Sequence, residues 1–424
     1  MSAVIPIVGR IQLPPSAKTR QSFALPIRAK PRLALRERRT VPAILKPPQP
    51  IRVGFVVHGM QMAGAEVLVR ETIRRLKGRI DPIIYCLDSI GTIGEQLRDE
   101  GIPVICLGRK PGRDFGVAWR MAAGIRTRRI QVIHAHQYTP FFYAALAKAR
   151  NLGGFRLILT EHGRHYPDVP SPTRRVINRL VLSSLADAVN ACCRFSARAL
   201  CRNDGFSGRR IEVIENGIDS TIYESAADRS ALRSRLGLSV DRRYVACVAR
   251  FHPVKDHSTL LRAFELVASA RPDTDLLLAG DGPDRDVLVQ LINSLGIESR
   301  VRFLGVRSDV PDLLRASDAF ALTSVSEAAS LTLMEAMAAG LPVVVSNVGG
   351  NPELVRDGVD GLLFPRRDSA ACAAALLRVL DDPNLSRRLG ESARKRALNE
   401  FSLNRTVERY HGLYRQLTGR GGHG

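Results

Sequence analysis

From Ile51 the chain alternates short apolar runs with longer amphipathic stretches, and Gly, Pro or Asp repeatedly marks the change. IRVGFVVHGM reads as a strand ending in a turn, and AGAEVLVRETIRRL behind it carries apolar residues at helical spacing. The unit recurs. PIIYCL precedes a helix at about 91–100, PVICLG one at about 116–128, VIHAH precedes FFYAALAKA, and LILTEHG runs into a long loop. Strands that are apolar throughout and separated by helices are buried on both faces, which implies a parallel sheet covered on each side. A second series begins near Arg243 with YVACVARF and continues through TDLLLAGDG, VRFLG, AFALTS and LPVVVSN. The predicted class is α/β, with two Rossmann-like, doubly wound domains.

At 424 residues the chain is too long for one ordinary core, which agrees with two domains. Polar and turn-forming residues collect at 216–224, after IEVIENGID, and place the join there. The expected organisation is a basic tail at 1–49, a first domain at 50–222, a second at 223–395, and a C-terminal helix with a flexible tip at 396–424.

The formal charge of +22 changes this picture at one end. Residues 1–50 hold many Arg and Lys with a single acid, Glu37, and a run of prolines including Pro14, Pro15, Pro26 and Pro31. Such a segment forms neither a stable helix nor a core, so it is excluded from the fold. No compact apolar stretch follows a short basic start, and no run of about 20 apolar residues occurs, so the expected location is cytoplasmic. The seven cysteines are odd in number and lack a C-x-x-C spacing, which suits reduced core thiols. For the adjacent pair Cys192 and Cys193, side chains about 100° apart on a helix argue against a shared metal.

In open parallel sheets ligands bind at the carboxyl ends of strands, so residues just after strands carry the chemistry. After AFALTS comes SVSEAASLTLMEAMAAGLPVVVSNVGGNPELV, with Glu327 and Glu335 separated by seven residues. A helix starting near Ser330 or Leu331 leaves Glu327 in the loop and Glu335 slightly more than one turn inside. Helical side chains lean toward the N-terminus, so both carboxylates face one pocket. Acids near a helix start also simply satisfy the dipole. Here the free N–H groups around Ser330, Leu331 and Thr332 suit a phosphate, and the carboxylates suit sugar hydroxyls.

The stretch resembles glycosyltransferase family 4 of the GT-B superfamily, whose signature is this glutamate pair followed by an EAMA-type helix and a Gly-Pro-Val-Val strand. The resemblance spans about 51–410 and implies the GT-B fold, with an interdomain cleft between two facing domains. It also implies that Glu335 binds the nucleotide ribose and Glu327 the donor sugar. Where the family often has Gly-Phe-Gly, this chain has Ala328, Ala329 and Ser330. In ARFHPVKDHSTLLRAF, Arg250 and Lys255 match the family's cation pair and would clamp the diphosphate. GDGP at 280–283 resembles the strand-exit turn, Gly349, Gly350 and Glu353 stand beside the donor, and Val306 is expected at the nucleotide base. Gly64, where the family often has a second glycine beside it, allows backbone to approach the donor. His162 after LILTE is implied near the donor sugar. His134 and His136 share a strand face without further ligands at metal spacing, and are read as structural or acceptor-side.

The resemblance implies retention of configuration, and no pair of carboxylates suits double displacement, so front-face transfer is expected from a UDP- or GDP-linked sugar, without a metal or other cofactor. The acceptor is expected to be a glycan or a lipid-linked molecule. WRMAAGIRTRR and SPTRRVINRLVL mix Arg with apolar residues at helical spacing, which suits an anionic membrane surface and equally a helix packed on a sheet. No nucleic-acid module is recognisable. A non-catalytic nucleotide-sugar-binding protein, or another GT-B enzyme such as an epimerase, is the alternative.

Overall fold

The computed structural model describes residues 49–163, 170–223 and 228–419. The basic tail, except Gln49, and the tip beyond Gly419 lie outside them. The first sheet contains β1 (Ile51–Gly59), β2 (Ile80–Ser89), β3 (Val104–Cys106), β4 (Val132–His136), β5 (Arg156–Glu161), β6 (Ala188–Ala191) and β7 (Ile211–Val213), ordered β3-β2-β1-β4-β5-β6-β7. The second contains β8 (Arg243–Val248), β9 (Thr274–Ala279), β10 (Val301–Gly305), β11 (Ala319–Leu322), β12 (Val343–Ser346) and β13 (Leu362–Phe364), ordered β10-β9-β8-β11-β12-β13. Both sheets are parallel. Central strands such as β4 and β9 are buried along their whole length, as their unbroken apolar character requires.

In each sheet the strand order reverses once, between β1 and β4 and between β8 and β11. Loops leaving the carboxyl ends of these neighbours diverge to opposite sides and open a crevice. The candidate residues after β1, β4, β8 and β11 therefore stand at the two switch points. Separate apolar clusters fill the two faces of each sheet.

The chain crosses between domains twice, and the crossings pair. Ile218 N–H donates to Phe401 O at 2.9 Å, and Leu403 N–H donates to Ile218 O at 2.9 Å. Gly217 is needed there, since a Cβ on it would stand 2.5 Å from Leu403 N. The second crossing divides the segment expected as one C-terminal helix. Helix Pro383–Glu400 stays on the second domain, whereas helix Leu403–Leu417 returns to the first and buries Leu403, Val407, Tyr410 and Tyr414 in the cluster that includes β1. These positions fall on one helical face, which the return crossing brings against the first sheet.

Part of the loop expected after LILTEHG, 164–169, lies outside the described residues, and the segment read at helical spacing behind it is helical: Pro172–Ile177, then a π-helical turn Asn178–Leu182, then Ser183–Leu185. Ser171 caps it by accepting from Arg174 N–H at 3.3 Å. Cys192 and Cys193 lie at the exit of β6 and not within a helix; Cys193 is extended and caps helix Arg194–Asp204.

Candidate active site

Helix Leu331–Ala338 begins where its sequence predicts. Ser330 is its N-cap, and its hydroxyl accepts from Leu333 N–H at 3.3 Å, which leaves the N–H groups of Leu331 and Thr332 unclaimed by the cap. Glu335 lies on this helix, half-buried, with no hydrogen bond or ion pair among the described residues. Burial pushes its carboxyl up to about 7.

Glu327, in the loop before the helix, meets Lys255. The ammonium stands 2.5 Å from Oε2, and Ser324 Oγ donates to the same oxygen at 3.1 Å. The backbone fixes this meeting: Val325 N–H donates to Val254 O at 2.9 Å, and Thr323 Oγ1 donates to Lys255 O at 3.1 Å and Asp256 O at 2.8 Å. The loops after β8 and β11, neighbouring strands, are thus tied together. Arg250 is exposed in the same β8 loop and forms no ion pair among the described residues.

Glycines let further loops close on these. A Cβ on Gly280 would lie 2.1 Å from Ala249 O, and one on Gly282 2.2 Å from Phe251 O, so GDGP packs directly under the Arg250 loop. Gly349 has φ +56°, and a Cβ there would lie 1.9 Å from Glu327 O. Val306, 72% exposed, follows Gly305, whose carbonyl accepts from Gly280 N–H at 2.8 Å.

The first domain reaches the same place. An added Cβ on Gly64 would stand 3.4 Å from Leu331 Cδ1, and one on Gly163 3.6 Å from Ala328 Cβ. His162 is buried, and its Nε2 shares a 2.7 Å hydrogen bond with His136 Nδ1. Burial pushes His162 down to about 4 and His136 well below the ordinary imidazole value. The two neutral rings share one proton across that bond, so in either tautomer their other nitrogens, His136 Nε2 and His162 Nδ1, present one donor and one acceptor. His136 Nε2 is buried without a hydrogen-bond partner among the described residues, whereas the Asn216 side chain lies against the His162 ring and partly offsets the effect of its burial. His134 differs: Tyr414 OH and Thr160 Oγ1, each at 2.7 Å, occupy both its nitrogens and fasten the last helix to the sheet.

Glu353 does not stand free beside the donor position. Its carboxylate accepts from Arg194 N–H at 2.8 Å and Phe195 N–H at 2.7 Å, capping a first-domain helix from the second domain. Sequence spacing contains no signal for this contact, 158 residues apart. Glu353→Ala should cost about 0.5–2 kcal/mol of stability, as for other lost helix caps, with urea denaturation as the measure. Faster proteolysis at the crossings would accompany it.

Two facing Rossmann-like domains with a cation–carboxylate cluster at the switch point of the second define the GT-B glycosyltransferase class. Models of two families match the chain: "Glycosyltransferase Family 4" over residues 62–221 and "Glycosyl transferases group 1" over 228–396. D-inositol 3-phosphate glycosyltransferase of Salinispora arenicola is 32% identical over 382 residues, 82% of each chain. N-acetyl-alpha-D-glucosaminyl L-malate synthase of Bacillus anthracis is 29% identical over 308 residues, 72% of this chain and 79% of that one. Among solved structures, Anabaena Alr3699/HepE in complex with UDP superposes with a TM-score of 0.77 at 25% identity, covering 86% of this chain and 100% of that one. The chain belongs to the group 1, family 4 glycosyltransferases, and it is a glycosyltransferase enzyme.

Proposed function

We propose that the enzyme moves a sugar from a UDP- or GDP-linked donor to an acceptor hydroxyl with retention of configuration. The observation that carries this reading is Glu335, a half-buried carboxylate with no hydrogen bond or ion pair among the described residues, on the helix whose start adjoins Gly64 and whose preceding loop meets Lys255 through Glu327. In this reading Glu335 accepts from the ribose hydroxyls, and the N–H groups of Leu331 and Thr332, beside Ser330, meet the phosphates. Gly64 admits the diphosphate, Val306 borders the base, and Glu327 contacts the donor sugar. His162 faces that sugar with the ring nitrogen not bonded to His136.

Arg250 and Lys255 neutralise the departing diphosphate, with Lys255 turning part of its bonding away from Glu327. As the glycosidic C–O bond breaks, a diphosphate oxygen takes the proton of the incoming hydroxyl, whose oxygen forms the new bond on the same face. The charge is met by side chains and helix N–H groups, so the proposal needs no metal. UDP in the Anabaena structure supports a nucleotide-linked donor.

The acceptor in this proposal is a glycan or lipid-linked molecule, handled by a cytoplasmic enzyme attached peripherally at the inner face of a membrane. No described helix is long and apolar enough to cross a membrane. A second reading, a small hydroxylated anion, is favoured by the malate and inositol phosphate in the relatives' names. A thermal-shift panel of UDP, GDP, ADP and their sugar conjugates, run on wild type and Glu335→Ala, tests the donor site. Stabilisation by one nucleotide in the wild type alone is expected; a flat panel would overturn the assignment. Product formation from the stabilising donor with L-malate, inositol phosphate or a lipid extract then separates the acceptors.

A further inference from the structure

One face of the first domain is covered by helices Phe115–Thr127 and Tyr138–Arg150, the helical segment 172–185 and helix Arg194–Asp204, which share one apolar cluster beneath them. Their outward sides are unusual. Val176, Ile177, Leu180 and Val181 are 56, 43, 72 and 52% exposed, and Phe115 and Trp119 are 49 and 46% exposed in the same layer. Four large aliphatic side chains within six residues, all facing water, are not explained by packing, because Asn178 and Leu182 form the inward side of that segment.

The charge of the layer is one-sided. Residues 115–160 contain no Asp or Glu, and neither do 170–186, whereas Arg120, Arg126, Lys148, Arg150, Arg174, Arg175 and Arg179 all fall within them. Lys148 and Arg174 are spent on ion pairs with Asp187 and Asp204, and Arg120 pairs with Asp114. Arg175 and Arg179 are exposed and form no ion pair among the described residues. Arg150 stacks its guanidinium 4.6 Å over the Trp119 ring and keeps that indole at the surface.

We propose that this helical face, centred on residues 174–181, docks on an anionic lipid surface, with the four aliphatic side chains entering the headgroup boundary and Arg175 and Arg179 meeting lipid phosphates. An exposed apolar ridge flanked by unpaired Arg, with an aromatic pair nearby, has the composition of a helix that lies in a membrane interface. A second copy fits less well. A two-fold contact through this ridge would bring Arg175 and Arg179 of both copies together with no acid between them. A nucleic acid would answer the arginines and leave the aliphatic residues uncovered. This inference rests on the peripheral-membrane reading above and not on the donor assignment.

The test is cosedimentation of the full chain with vesicles of phosphatidylcholine alone and with about a third phosphatidylglycerol, at low and high salt. Wild type should bind the anionic vesicles and release at high salt. Arg175→Ala/Arg179→Ala should bind roughly thirtyfold more weakly, from the loss of two interfacial cations. Val176→Ser/Leu180→Ser should lose binding that high salt does not restore, while nucleotide thermal shifts stay at wild-type values in both variants. If wild type ignores anionic vesicles, the membrane reading itself fails. If it binds and both variants bind equally well, the basic tail or another face is responsible and the docking surface is wrong. A dimer that dissociates in the Val176→Ser/Leu180→Ser variant, seen by light scattering, would assign the ridge to a second copy and overturn the proposal.

Discussion

Glu335→Gln should lower donor affinity about 100-fold or more and at the same time stabilise the ligand-free enzyme above pH 7. The affinity loss follows from removing a charged acceptor that two ribose hydroxyls would share, each such bond contributing about 1.5–3 kcal/mol. The stability gain follows from the protonation of the wild-type side chain. Burial raises the Glu335 carboxyl from 4.5 to about 7. The folded protein therefore holds a proton that the unfolded chain releases, and the stabilisation this gives is complete below pH 4.5 and lost as pH rises to 7. Glutamine carries no charge to desolvate, so the variant keeps that stability. Partial contact with solvent reduces the full linkage value, leaving about 1–2 kcal/mol at pH 8. Donor binding by wild type should weaken as pH falls through 7, because the protonated acid accepts hydrogen bonds poorly, and the variant should show no such step. Melting temperatures and nucleotide titrations at pH values between about 5 and 8 measure both effects. A variant that binds donor normally, or that gains nothing in stability at high pH, contradicts this account of Glu335.

Lys255→Ala should reduce turnover about 10²- to 10³-fold with the fold intact, corresponding to about 2.7–4 kcal/mol of lost transition-state stabilisation. Two consequences combine. The departing diphosphate loses a cation, and Glu327 loses the partner whose ammonium stands 2.5 Å from it, so a bare carboxylate now faces the donor. The second consequence is separable: Lys255→Ala/Glu327→Gln should recover donor affinity relative to Lys255→Ala while turnover stays low. Arg250 is not restrained by an acid among the described residues, so Arg250→Ala should affect the rate without that rescue. Steady-state kcat and KM for the three variants, with circular dichroism to check folding, decide the matter. Full turnover in Lys255→Ala would remove Lys255 from the chemistry.

The positions of single elements were readable because they depend on local pattern. Runs such as VIHAH and TDLLLA are apolar on both faces and became buried strands; Ser330 before an apolar helical repeat became a cap; Glu327 and Glu335 fell in the loop and one turn inside the helix, as their spacing requires. Contacts between distant segments were less accessible. Glu353, read as a residue beside the donor, caps a helix of the other domain, and Lys255, read with Arg250 as a clamp on the diphosphate, is paired with Glu327 across 72 residues. His136 gave only the sign of a strand-end histidine, and its bond to His162 exists because β4 and β5 are neighbours in register.

The sequence by itself determined the two parallel α/β sheets and the set of chemical groups that follow the strands, since periodicity, turn residues and caps act over a few residues. Only the tertiary structure decided which of those groups are already occupied and which are open. It satisfied His134 with Tyr414 and Glu353 with two helix N–H groups, and left Glu335 without a hydrogen bond or ion pair among the described residues. It also sent the last helix back to the first domain and left the 174–181 ridge exposed. The physical reason is that pairing and burial depend on which strands become neighbours and where the chain crosses, and no local pattern contains that information.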